Sequence, residues 1–210
     1  MRAITKGLEP VSLTQHRLTP HCDYDNYVGK ADLRHALVAE QRGLCCYCMG
    51  RIHNGPNSMK IEHWLCQARH QDRQLHYRNL LGACLGGEGQ PGHLQHCDTK
   101  KGDSALQWNP ADPIHHIETR VRYELDGSIH ADDVVFNVQL NDVLNLNLPV
   151  LKNNRKGALS ALLDWWSVEK PVPRARIEHA IHERVHGPGD LAPYCQIVVW
   201  WLRQKLAKMA

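Results

Sequence analysis

Four cysteines constrain this chain more than any other feature. Cys45-x-x-Cys48 sets two thiols on one tight turn, and Cys84 and Cys97 follow downstream. Thiolates in that arrangement bind zinc, whose structural sites take four ligands in a tetrahedron. The second pair is more widely spaced than the first, so His93 and His96 remain alternatives for one of its ligands. Such a site would staple the chain between Cys45 and Cys97 and add the free energy of metal binding to folding. A disulfide framework is the competing use of eight cysteines, but it belongs to exported and usually shorter chains. The N-terminal MRAITKGLEPVSLTQ carries no apolar secretory stretch, so the reading is a cytoplasmic protein with thiolate-metal chemistry. Cys22, Cys46, Cys66 and Cys195 are then expected to be buried free thiols.

Inside the staple lie residues of another chemistry. Ile61-Glu62-His63 is followed by Asn79-Leu80-Leu81 and by His96-Cys97-Asp98-Thr99-Lys100-Lys101-Gly102. Phosphodiester hydrolysis needs a base, a cation for the developing charge, and an element that holds both in register. His63 titrates near neutrality and suits the base. Glu62 and Asp98 offer hard oxygens suited to Mg2+ or Mn2+. Asn79 is positioned to fix the backbone around His63, and Lys100 and Lys101 to meet a substrate phosphate. Successive strand residues face opposite sides, so Glu62 and His63 share one cation only where the strand bends. A zinc-stapled binding module with an inert Glu-His pair would explain the cysteines. It leaves the coincidence of Glu62, His63, Asn79 and Asp98 without a reason.

The elements around these residues follow from pattern and punctuation. Asp32 to Arg42 has helical spacing, with Asp32 suited to the N-cap and Gly43 to the stop. Met59 to Leu65 reads as a short strand and Tyr77 to Ala83 as one or two helical turns. The glycine-rich 85–95 is loop, and a short helix follows Asp98, giving two strands and a helix. Ile117 to Leu125 alternates like a strand, and Asp126-Gly127 signals a hairpin. Beyond residue 148 three apolar stripes read as helices, whose outer faces suit docking to a partner. Residues 1–28 read as an extended arm. The fold class is α+β, organised as 1–110 (arm and zinc-containing core), 111–147 (hairpin and connector) and 148–210 (helical). Its 210 residues can bury a sizeable core, and no apolar run reaches the ~20 residues of a bilayer span. A net charge of +3 allows nucleic acid as a partner without requiring it.

Taken in order, these motifs resemble the HNH, or ββα-metal, endonucleases with a zinc-stapled core. More narrowly, the chain is similar to the HNH subunits of Septu-type anti-phage systems, some of which accompany retrons. Met1-Arg2-Ala3-Ile4, Glu9-Pro10-x-Ser12-Leu13, Leu44-Cys45-Cys46-Tyr47-Cys48, Ile61-Glu62-His63-Trp64 and Tyr77-x-Asn79-Leu80-Leu81 carry the likeness. It continues through His96 to Gly102, Leu146-x-Leu148 and Leu151-x-x-Asn154-Arg155. The resemblance implies His63 as general base, Asn79 as the middle asparagine and Asp98 as a metal ligand in the third position. Glu62 stands where the wider superfamily commonly has Asp, and Asp98 where it has Asn or His. It also implies a DNA or RNA substrate, an ABC/SMC-type ATPase partner, a retron reverse transcriptase with its msDNA in some systems, and a role in phage defence.

Overall fold

The computed structural model describes residues 1–169 and 171–209. It is a mixed α/β molecule with two small two-stranded sheets and eight α-helices among the described residues. The N-terminal segment is not the extended arm expected. Met1, Ile4 and Leu13 are buried, and the Met1 amino group hydrogen-bonds the Tyr123 hydroxyl at 2.5 Å. Lys6 pairs with Glu40 and donates to the Leu80 carbonyl, and a short helix, α1 (Val11–His16), follows. The apolar residues spaced through the segment pull it onto the core.

Helix α2 (Lys30–Glu40) starts at Gly29, not Asp32, whose carboxylate instead lies in the first turn and favours the helix dipole. Gly43 turns the chain out of α2 with φ +73°. Strands β1 (Lys60–His63) and β2 (Leu80–Ala83) then pair antiparallel, with Glu62 opposite Leu81 and His63 opposite Leu80. The expected helical turns over Tyr77–Ala83 reduce to one 3-10 turn at Tyr77–Asn79. The apolar remainder is strand, buried on both faces. The outer edge of β2 is closed by Gln41, whose amide takes the Gly82 N–H at 2.6 Å and donates to the Gly82 carbonyl at 2.7 Å. A Cβ at position 82 would lie 2.9 Å from the Ile52 side chain and crowd Met59 and Gln41.

Helix α3 (Cys97–Lys101) follows, tied to β1 by Lys101, which meets Glu62 and the His63 carbonyl. The strand expected over Ile117–Leu125 is mostly absent. Residues Ile117–Arg120 form helix α4, opened by His116 in the left-handed region, while Glu118 reaches Arg203 and the Ala3 N–H. Only β3 (Arg122–Tyr123) pairs with β4 (Ile129–His130), across the expected Asp126-Gly127 turn. Helix α5 (Val134–Val138) is capped by Asp133 and runs into a π turn at Gln139–Val143. Three long helices finish the chain: α6 (Pro149–Val168), α7 (Arg174–His186) and α8 (Cys195–Ala207). One apolar core runs through all three expected segments, from Met1 to Leu202. No helix among the described residues is long and apolar enough to cross a membrane.

Candidate metal and catalytic centre

The Cys45–Cys48 turn is a knuckle held at its base by the Leu44–Arg51 bridge, by Cys45 N–H to Gly50 O at 2.8 Å, and by Met49 N–H to Cys45 O at 3.2 Å. The wide spacing of the second pair is resolved by a pinched loop. His96 N–H meets the Gly86 carbonyl at 2.9 Å, and the Thr99 hydroxyl meets the Leu85 carbonyl at 2.8 Å. Gly86 has φ +58°, and a Cβ there would strike the His96 carbonyl. Cys84 and Cys97 therefore arrive together.

The four sulfurs lie within 4.8 Å of one another. Cys45 and Cys97 are 3.8 Å apart, and Cys48 and Cys84 are 3.7 Å apart. A Zn–S bond of about 2.3 Å in a tetrahedron gives an edge of about 3.8 Å, so the set fits zinc in geometry and in donor type. Burial opposes ionisation at Cys45, but hydrogen bonds from the surrounding thiols outweigh it and hold that thiol well below its usual range. Cys97 is pushed up by burial and then by its hydrogen bonds with the Cys45, Cys48 and Cys84 thiols. A divalent cation would let all four ionise. His96 Nδ1 sits 3.2 Å from Cys97 Sγ and 3.9 Å from Cys84 Sγ, beside the four-cysteine set, and His93 is exposed. Of the other thiols, Cys46, Cys66 and Cys195 are buried, and Cys22 is only half-buried.

Glu62 and His63 do face opposite sides of β1. Glu62 is 2% exposed, and its Oε1 accepts the Tyr47 hydroxyl at 2.6 Å and the Lys101 ammonium at 2.9 Å. Burial, and then the Asp98 carboxyl that shares a hydrogen bond with it, push the Glu62 pKa well above the carboxylate range against the pull of Lys101.

His63 turns the other way. Its Nε2 donates to the Gln74 carbonyl at 3.0 Å, and Tyr24 packs edge-on against the ring at 4.5 Å. With Nε2 committed as donor, Nδ1 is the basic nitrogen. Burial lowers the His63 pKa, although the Gln74 carbonyl and the Asp98 charge oppose it. Asn79 does not touch His63. Its side chain joins Leu65 N–H at 2.8 Å to the carbonyls of Leu65 at 3.1 Å and Arg73 at 3.2 Å. It thus closes the loop that carries Gln74 to the imidazole.

The lysines depart from expectation. Lys101 is buried against Glu62, so it cannot reach a phosphate from solvent; i,i+3 spacing turns it to the same face of α3 as Asp98. Lys100 points outward and donates to the Gly92 carbonyl at 3.1 Å. The cation at the mouth of the carboxylates is Lys60, 3.6 Å from Asp98 and 3.1 Å from Glu88. Strand alternation places it two residues before Glu62 on the same face, a signal readable from sequence. Tyr47 and Gln74 carry no such signal. No protein-family model matches this chain, and comparison with curated proteins gives no match.

Proposed function

We propose that the protein is a metal-dependent HNH-type endonuclease, with a zinc-stapled ββα core formed by β1, β2 and α3. The observation that carries this reading is a buried carboxyl, Glu62, held by Tyr47 and Lys101 and followed in β1 by a buried histidine whose Nε2 is tied to a carbonyl. His63 Nδ1 accepts a proton from water as the attack on phosphorus begins. Glu62 and Asp98 would hold Mg2+ or Mn2+, which when bound offsets the charge developing on the phosphoryl and leaving oxygens. Asn79 keeps the 65–74 loop closed so that the Gln74 carbonyl holds the imidazole in one orientation and tautomer. Lys60, at the rim, is the phosphate contact in this scheme, with Lys100 further out.

Cys45, Cys48, Cys84 and Cys97 would bind zinc and fix the strands against α3. The likeness to Septu-type HNH subunits adds an ABC/SMC-type ATPase as partner, a retron reverse transcriptase with msDNA in some systems, and phage defence as the role. One observation favours the rival reading, a zinc-stapled nucleic-acid- or protein-binding module: Glu62 Oε1 is already taken by Tyr47 and Lys101.

Cleavage decides between them. Purified protein, alone and with the product of the adjacent gene, is incubated with plasmid and with total RNA in Mg2+ or Mn2+. Cation-dependent cutting that His63→Ala abolishes supports the nuclease. Cutting unchanged in His63→Ala, or binding with no cutting under any condition, overturns it.

A further inference from the structure

Lys101 is a buried charge that the scheme above leaves without a task. A lysine 1% exposed is rare, and it persists in an interior only when its donors are matched. Its ammonium meets Glu62 Oε1 at 2.9 Å, the His63 carbonyl at 3.1 Å and the Gly102 carbonyl at 3.5 Å. Tyr47, also 1% exposed, donates to the same Glu62 oxygen at 2.6 Å. Both donors fall on Oε1, which leaves Oε2 with its lone pairs uncommitted to either. Lys101 also grips β1 twice, once through the Glu62 side chain and once through the His63 backbone. Because Asp98 lies one turn earlier on α3, that grip fixes the distance between the two carboxyls.

We propose that Lys101, assisted by Tyr47, is a positioning residue for the cation site: it locks Glu62 so that one carboxylate oxygen, together with Asp98, faces a divalent cation. The proposal rests on the nuclease reading. Lys101 touches neither cation nor substrate, yet cation affinity depends on it. Its ammonium lies 2.9 Å from Glu62 Oε1 and offsets negative charge where the two carboxyls adjoin. In this scheme the occupied Oε1 is part of the site and not a sign that Glu62 is inert.

The test uses full-length, zinc-loaded protein and Mn2+ as the probe, with binding followed by electron paramagnetic resonance and cleavage followed against cation concentration. Lys101→Met is expected to raise the Mn2+ Kd, and the Mn2+ needed for half-maximal cleavage, by about 10–100-fold, the scale for losing an outer-shell partner. Tyr47→Phe should shift both the same way by a smaller factor and recover wild-type rate at saturating Mn2+. Lys156→Met, altered at an exposed position on α6, should shift neither. A merely structural Lys101 would change stability and zinc content while leaving Mn2+ affinity alone. Unchanged or tighter Mn2+ binding in Lys101→Met overturns the proposal. If that variant does not fold, unchanged or tighter binding in Tyr47→Phe overturns it instead. Wild-type protein that binds no Mn2+ removes the cation site and the nuclease reading together. Wild type that binds and cuts, with variants that match it, removes only the positioning role.

Discussion

The proposed role of His63 as a base depends on what restrains its other nitrogen. Gln74 is an unremarkable loop residue, but its carbonyl takes Nε2–H and so assigns the basic lone pair to Nδ1. Removing the ring in His63→Ala should cut turnover about 10²–10⁴-fold with zinc content unchanged, measured as initial rates on the preferred nucleic acid. Burial lowers the His63 pKa, so the neutral, proton-accepting form persists further into acid. The acid limb of the pH–rate profile should accordingly fall below the ~6.5 of an exposed imidazole. A limb above 6.5 would mean that another group limits the rate. Lys60→Met should weaken nucleic-acid binding alike for all sequences, and the slope of log K against log salt should drop by about 1, read from titrations at several salt concentrations. At this scale the sequence was legible where chemistry dictates residue type: the four cysteines stand together as spacing suggested. It was not legible for Tyr47 and Lys101, whose places depend on a long-range pairing across the strand.

At the scale of elements, what decided between helix and strand was the partner each segment found. Tyr77 to Ala83 looks helical in isolation, but Leu80–Ala83 pairs with β1 along one edge, and Gln41 and the Cys46 N–H close the other. Ile117 to Leu125 alternates like a strand, yet its first half coils because Glu118 finds Arg203 and Arg120 stacks on Trp108 at 3.6 Å. Neither competition is visible in local pattern. The edge role of Gln41 gives a direct test. Gln41→Leu keeps the volume but orphans the Gly82 N–H, a loss of about 1–3 kcal/mol of stability by denaturant unfolding. The knuckle gives another: the protein should carry about one zinc per chain by elemental analysis, and Cys48→Ser should lose it together with solubility. Well-folded wild-type protein without zinc would rule out the staple.

At the scale of the whole molecule, the C-terminal helices are less separable than their late position suggests. Their existence was readable from three apolar stripes, but their attachment was not, because it runs through backbone atoms that leave no signature in sequence. Arg42, just past α2, donates to the carbonyls of Val185, Gly187 and Gly189, and Arg51 of the knuckle reaches the Leu191 carbonyl and Asp190. Tyr194 N–H meets the Met49 carbonyl at 2.9 Å, so α8 begins on the metal knuckle itself. Ile197, Val198, Val199 and Leu202 of α8 are each at most 4% exposed. Each such side chain contributes about 1.5–3 kcal/mol when buried. Four of them approach the whole net stability of a domain, about 5–15 kcal/mol. Removing residues 149–210 should therefore not release a folded core that merely lacks a docking surface. The truncated chain should be insoluble or show no cooperative thermal transition by circular dichroism, and it should retain less than one zinc. Binding of the proposed partner is then tested by surface substitutions, such as Val168→Asp at the exposed end of α6, and not by deletion. A soluble truncation that melts cooperatively with a full equivalent of zinc would show that the C-terminal helices dress the core without holding it.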